Sequence, residues 1–581
     1  MRRIQLRSRD HERPSREDGC SRSRVWDLGK HICRFATILL LAVAAAAQTA
    51  SYRVAGTVVN AATGEAVSGA AVALLTVEGS ATFASTESGA DGSFDIENLP
   101  AAKFQLSVSK RGYSTSFYNQ HGNFSSAIVT GADQESNTNT GRLVFQLPPE
   151  AVLGGVVSGD GGDPVEGATV ILFEKPRDHD PAAKIEQAGT ATTDDTGAYE
   201  FSGLTAGEYL LAVRARPWYA ISGFDTNLLR QPETGQQAAL DVAYPVTFFD
   251  STTDEASATP IILTDGSREQ ANLNLHAMPA LHFSVQAPRK PDGTIFQPEL
   301  RQTIFGADVG GDNGVMSRSR DDSTEFGGVA PGAYELTQGD PPHILLLNAT
   351  ASQQVNPDAG VPAVAVSGSL QPVQGTAPLT SGYLITLAAA AVAGTDSAGG
   401  GPVPQPIFGY AGSFSFRAVP AGTWRLHVSN GLDVVSVTAD GHTRPGDLLT
   451  VQDHPLSIVA TVSAGRSVRI EGFARKKEKG FAGAMIVLVP KDLKAMAELA
   501  RRDQSDSDGS FALLNVEPGD YTVAAIEDGW DVDWGDPSVI ARYLPGGQPV
   551  TVKDSSDSQS ARPASPDRRI TLAGPVAVQP K

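Results

Sequence analysis

Two acidic stretches late in the sequence hold the residue types best suited to ligand chemistry. "DQSDSDGS", Asp503 to Ser510, sets Asp506 and Asp508 ahead of Gly509, hard oxygen donors around a glycine turn, as in part of a calcium loop. A full loop of that kind ends on a bidentate Glu, but here Phe511 begins an apolar alternation. The simpler reading is an Asp-Gly hairpin turn. The related Asp91-Gly92, preceded by Gly89 and Ala90, offers fewer oxygens still. "EDGWDVDWGDP", Glu527 to Pro537, places Trp530 and Trp534 among five acidic residues. Exposed rings stack on sugar faces or anchor a protein partner, and carboxylates accept sugar hydroxyls. Tyr113 and the pair Trp218 and Tyr219 fall at matching places in related segments. All five aromatics are therefore binding candidates, expected in loops at one end of a small β domain. The alternative is that they plug that end.

Other chemistries find little support. The ten His have no metal spacing, and no HExxH, GxSxG or phosphate-loop motif occurs. No catalytic residue, cofactor or metal is assigned, and a hydrolase would require Ser, His and Asp residues to converge only in space. The formal charge of -19 argues against nucleic-acid binding, which depends on Lys and Arg neutralising phosphates. "FATILLLAVAAAAQTA", Phe35 to Ala50, is an apolar run of about twelve residues after Lys30 and Arg34, ending in small residues. It reads as an export signal cleaved near Ala47, too short to be the preferred membrane span. Both cysteines, Cys20 and Cys33, precede that point, so the exported chain is expected to lack thiols and disulfides, with no membrane span after signal removal.

The elements that position the candidates come from a repeat. "DGSFDIENLPAAKFQLSV" at Asp91 returns as "DTGAYEFSGLTAGEYLLAV" at Asp195, "DDSTEFGGVAPGAYELTQ" at Asp321, "AGSFSFRAVPAGTWRLHV" at Ala411 and "DGSFALLNVEPGDYTVAA" at Asp508. Upstream halves are clear at Val54, Val152 and Val468 and degenerate at Leu281 and Val364. Periodicity is two: Phe104, Leu106 and Val108 alternate with polar residues, as do Tyr521, Val523 and Ala525 with small or polar ones, the pattern of half-buried antiparallel strands. Such strands punctuated by turns predict sandwiches that each close a core. One helix is expected over Val489–Gln504, with Leu493, Met496, Leu499 and Ala500 on one face. Ala388 to Pro406 reads as a long loop and Lys553 to Asp567 as a linker before a last strand.

The pattern "GxV…G.PV.GA.V.L…DG.F…L..G.Y.L.V", at Gly56 to Val108, Gly155 to Val213 and Gly472 to Ala525, resembles the carboxypeptidase regulatory-like domains of exported bacterial proteins. The resemblance implies an all-β chain of tandem Greek-key β-sandwiches, transthyretin-like (prealbumin-like) or Cna-B-like and grouped with carbohydrate-binding-like folds, usually non-catalytic. Cna-B-like domains sometimes carry Lys isopeptide crosslinks, but Val54, Val58, Val152 and Val156 hold the first-strand positions here. Tyr244 to Leu275 looks like the tail that follows such a domain and is expected to extend the second copy.

The expected layout is a leader at 1–47, sandwiches at 51–148, 149–276 (with strand extension), 277–352 and 353–462, and a fifth at 463–581 with the helical insertion and a tail. The leading functional reading is an exported, non-enzymatic protein, periplasmic, outer-membrane-associated or extracellular, that binds carbohydrate or another extracytoplasmic partner through loops at one sandwich end. The rival is a structural or assembly scaffold of the cell envelope that binds envelope protein and no small ligand.

Overall fold

Among the described residues, period-two alternation becomes strand pairing in every copy of the repeat. The computed structural model describes residues 51–581 less 78–80, 132–138, 177–183, 221–239, 287–296, 310–315, 321–322, 340, 357–358, 374–381, 390–403, 405, 411, 430–431, 465–467 and 554–567. The expected export signal, both cysteines and nearly all of the expected linker lie outside the described residues, as does most of the expected loop after Ala389. Tyr52–Lys581 forms one compact unit.

In the first sandwich, Tyr52–Asn60 lies between Ser93–Leu99, antiparallel to it, and Leu143–Leu147, parallel to it. The facing sheet runs Thr82–Glu87, Ala71–Thr76, Lys103–Lys110, Tyr113–Phe117. Their inward residues, among them Val54, Val58, Phe94, Phe104, Leu106 and Phe145, make one apolar core. Full burial of each such side chain contributes about 1.5–3 kcal/mol.

The same plan recurs in every copy. Each opening strand pairs antiparallel with the strand that begins the downstream half of the repeat and parallel with the strand that closes the copy. Ala151–Ser158 pairs with Ala198–Leu204 and Arg268–Gln270, and Leu281–Gln286 with Ser323–Val329 and Gln353–Val355. Val361–Pro372 pairs with Ser413–Pro420 and Leu456–Ala464, and Val468–Lys476 with Ser510–Val516 and Arg568–Thr571. A separate core fills each sandwich. The protein is thus all-β, a tandem of β-sandwiches. Because closing and opening strands are parallel, the chain enters each sandwich at one pole and leaves at the other.

Two local devices repeat with the plan. The antiparallel pair carries a bulge in every copy, seen as a register shift at Tyr52/Val54, Phe201/Leu204, Leu281/Phe283, Val364/Val366 and Val468/Ile470. Asn98, Gly203, Gly328 and Asn515 accept the left-handed backbone there, the residue types that do so at least cost. The turn glycines are fixed by space as well as by φ. Gly92 (φ 75) and Gly509 (φ 84) would each carry a Cβ 2.5 Å from a carbonyl oxygen, of Val58 and Ala474 respectively.

The tail after Tyr244 extends the second sandwich on both sheets: Thr247–Phe248 and Ile261–Leu263 pair with Gly207–Arg214, and Arg268–Gln270 with Ala151–Ser158. Neighbouring sandwiches also interlock. Ile304, from the hairpin Thr303–Ile304/Ala307–Asp308, packs on Phe173 and Phe248 of the second, and His343–Ile344 of the third pair with Val361–Pro362 of the fourth.

The helix expected over Val489–Gln504 is corrected to a single 3-10 turn, Leu493–Ala495, continued by the four residues Met496–Leu499. Val489 and Pro490 end a strand paired to Thr522 and Tyr521, and Arg501–Gln504 pairs with Leu488 back to Met485. Strand pairing on both sides outweighs the helical spacing, because a helix this short is marginal without packing.

Candidate functional site

The most elaborate constellation of polar and aromatic side chains lies where the first and last sandwiches meet, and it contains most of the residues picked out from sequence. It starts from a buried hydroxyl that repeats in the three clear copies. Ser88 Oγ donates to Val67 O and accepts from Ala70 N; Thr193 Oγ1 does the same with Val165 and Ala168, and Ser505 Oγ with Phe481 and Ala484. This hydroxyl ties the Gly-Ala turn to the end of the strand before the second turn, which closes on Gly92, Gly197 or Gly509. Sequence reading missed it, although a Ser or Thr four residues before the turn glycine of each clear copy was its signal.

The next residue decides what each copy can do. In the second sandwich Asp194 Oδ1 accepts from Thr196 Oγ1, Ala198 N and Thr196 N, so its carboxylate is spent on the turn, and these contacts, the Thr196 hydroxyl first, hold its pKa below the ordinary value. In the fifth, Asp508 takes over that task by accepting from Ser510 N at 2.9 Å. Asp506, at the position equivalent to Asp194, is left to reach the first sandwich. One of its oxygens pairs with Lys103 Nζ and lies 3.2 Å from Ser510 Oγ; the other accepts from Ala127 N at 2.7 Å. The two aspartates raised as a calcium pair therefore hold a lysine, a hydroxyl and backbone amides. Among the described residues no group of three or more His, Cys, Asp or Glu is placed to hold a metal.

The contact continues on either side. Ser507 N donates to Ala127 O and Ser507 Oγ accepts from Val129 N, so Ser507 joins the edge of the first sandwich as a short strand would. Ser126 Oγ donates to Ser505 O at 2.8 Å. Gln504 is almost wholly enclosed. Its Nε2 donates to Asn119 O and Ser126 Oγ, which leaves Oε1 to accept from His121 Nδ1 at 3.0 Å. That arrangement requires the proton on His121 Nδ1.

Aromatic rings cover one flank. Trp530 stacks on His121, with ring centres 4.8 Å apart and planes 5° apart, touches Phe124 at 5.6 Å, and donates from Nε1 to Gly483 O at 3.2 Å. Arg502 bridges the flank, its guanidinium 5.0 Å from the Phe124 ring centre and 4.4 Å from that of Trp534, within cation–π range. Trp534 is buried, 3% exposed, among Met485, Val487, Ile540 and Tyr543 on the outer face of the fifth sandwich. That second core explains why Met485–Pro490 is apolar at every position: it is buried on both faces.

Burial raises the pKa of the Asp506 carboxyl, and Lys103 pulls it back. Burial likewise pushes Asp503 up to about 7, against a hydrogen bond from Ala512 N. This is a tight, partly desolvated contact between the first and fifth sandwiches, with a buried polar centre and an aromatic flank.

The remaining aromatics lie elsewhere. Tyr113 opens the strand Tyr113–Phe117 instead of lying in a loop, and bridges to Pro149 at the junction with the second sandwich. Lys110 Nζ lies 5.9 Å from its ring centre. Trp218 is 90% exposed and meets Tyr219 edge-on at 5.7 Å. The Tyr219 hydroxyl bonds that of buried Tyr244, which also feels the charges of Asp160 and Asp163. Asp160 in turn holds His276 Nδ1 at 2.7 Å and Ala277 N at 3.0 Å.

Among the described residues no helix is long and apolar enough to cross a membrane. No curated protein matches the chain. Among solved structures, the Bacillus anthracis TIE protein is 10% identical, over 86% of this chain and 74% of that one, with a TM-score of 0.17. A streptococcal ancillary pilin is 11% identical, over 50% of this chain and 98% of its own, at 0.18. GBS52, the minor pilin of Streptococcus agalactiae, is 15% identical, over 41% of this chain and 99% of its own, at 0.19. Residues 53–139 and 152–242, the first two sandwiches, match in tandem the family model of the carboxypeptidase regulatory-like domain.

Proposed function

We propose that this protein is an exported, non-catalytic scaffold of the cell envelope. One observation carries the reading: the stretch richest in ligand-binding chemistry, Asp503 to Trp534, is turned onto the first sandwich by Asp506, Ser507 and Trp530 and holds the protein to itself. Rigid sandwiches with their terminal members in contact present fixed surfaces and suit a role in spacing or assembling other proteins. The test is chemical crosslinking in the producing cells followed by purification of the full chain, in parallel with retention on a panel of envelope polysaccharides. Co-purification of a defined envelope protein without polysaccharide retention is the expected result.

Trp218 favours a second reading. Its exposed ring beside Tyr219, with Asp160 and His276 nearby on the same sandwich, has the composition of a sugar-stacking surface. Polysaccharide retention that disappears with Trp218→Ala would replace the scaffold reading with this one.

A further inference from the structure

We infer that the contact between the first and fifth sandwiches also forms between two copies of the chain, each copy lending its first sandwich to the fifth of the other. This goes beyond the scaffold reading and stands whether or not the protein also binds sugar.

Four observations carry it. First, the two halves are complete before they meet: the first sandwich has its own core from Val54 to Leu147 and the fifth its own from Val468 to Val576, so separation leaves both folded. Second, the contact is built mainly from hydrogen bonds, the Lys103–Asp506 pair, whose carboxylate is buried while the lysine stays partly open to solvent, and the Trp530–His121 stack. Water replaces such polar contacts on opening, unlike a core shared between domains. Third, the partners are 403 residues apart for Lys103 and Asp506, with three sandwiches between. Closure within one chain is therefore favoured only by the effective concentration that those sandwiches impose, and a second copy at sufficient concentration competes with it. Fourth, the two surfaces differ from each other, so an exchanged pair uses each surface once per copy and closes as a reciprocal dimer.

The test uses two full-length variants that each oppose closure in cis. Lys103→Glu faces the native Asp506 with a like charge, and Asp506→Lys faces the native Lys103 with one. Alone, each is expected to run as an open monomer by light scattering. Mixed in equal amounts, the Lys103 surface of the second variant meets the Asp506 surface of the first, which restores one native contact, while the other contact pairs opposite charges in reversed order. The expected result is doubling of the mass only in the mixture, and a mixture that stays at monomer mass overturns the inference. Should either variant lose its cooperative thermal transition, two differently tagged wild-type chains are mixed at high concentration, warmed below the transition and cooled. Capture of one tag with the other is then expected, and its absence overturns the inference.

Discussion

Trp530 lies flat against His121, indole on imidazole, although the two belong to the fifth and first sandwiches. Parallel stacking of this kind adds about 0.5–1.5 kcal/mol beyond the area it buries. Trp530→Ala is therefore expected to lower stability by about 1–2 kcal/mol, less than a fully buried tryptophan would cost. Amide exchange should speed up in Asn119–Val129 while the core strands of the first sandwich stay protected. Unchanged exchange in that segment would show that the stack does not hold the two sandwiches together.

Asp503 makes stability depend on pH in a stated direction. Its carboxyl is raised to about 7 in the folded protein, well above the ordinary carboxylate value of about 3.9. Between those values the folded state holds a proton that the unfolded chain has released, so this contribution is fully present at low pH and is lost as pH rises through the window. Asp503→Asn keeps an acceptor for Ala512 N and removes the charge. The variant should exceed the wild type in stability at about pH 8 and converge with it toward about pH 4, as read from urea midpoints across pH. A constant gap would assign the effect to something other than titration.

Ser505 closes the turn beneath the contact through two buried hydrogen bonds. Ser505→Ala leaves Ala484 N and Phe481 O without that partner, at a cost of about 1–3 kcal/mol. Ser505→Thr should recover most of the loss, because Thr193 makes the same pair of bonds in the second sandwich. Chemical denaturation of the three proteins distinguishes a hydroxyl role from simple packing.

Glycine is required at Gly92 for two reasons and at Gly112 for one. Both have positive φ, but a Cβ on Gly92 meets Val58 O whereas one on Gly112 meets nothing within 4 Å. Gly112→Ala should cost about 1–2 kcal/mol from backbone conformation alone, and Gly92→Ala at least about 1 kcal/mol more from the clash. Equal losses would mean that the turn can shift away from the strand.

What the sequence revealed follows the range of the forces involved. Alternation at Phe104, Leu106 and Val108 and the Asp-Gly turns are local patterns, and they lead directly to strands, hairpins and sandwiches. The bulge opposite Asn98 and Asn515 is just as local but leaves only a single residue as its trace, easily read as part of a strand. At Val489–Gln504 two local patterns compete, and pairing with Thr522 and Met485 decides between them only in the folded sheet. The candidate site was half legible. Asp506 and Trp530 stand out by type, yet nothing in their neighbourhood points to Lys103 or His121, because a contact across three intervening sandwiches imposes no periodicity on either segment.

The parallel pairing of opening and closing strands makes each sandwich a directional link, so a chain of such links gains or loses members without rebuilding those that remain. The contact from Lys103 to Asp506 limits that freedom within one chain. There the first and last links meet only if the number of links between them suits, so a duplicated or deleted sandwich would leave the two ends to find their counterparts in another copy.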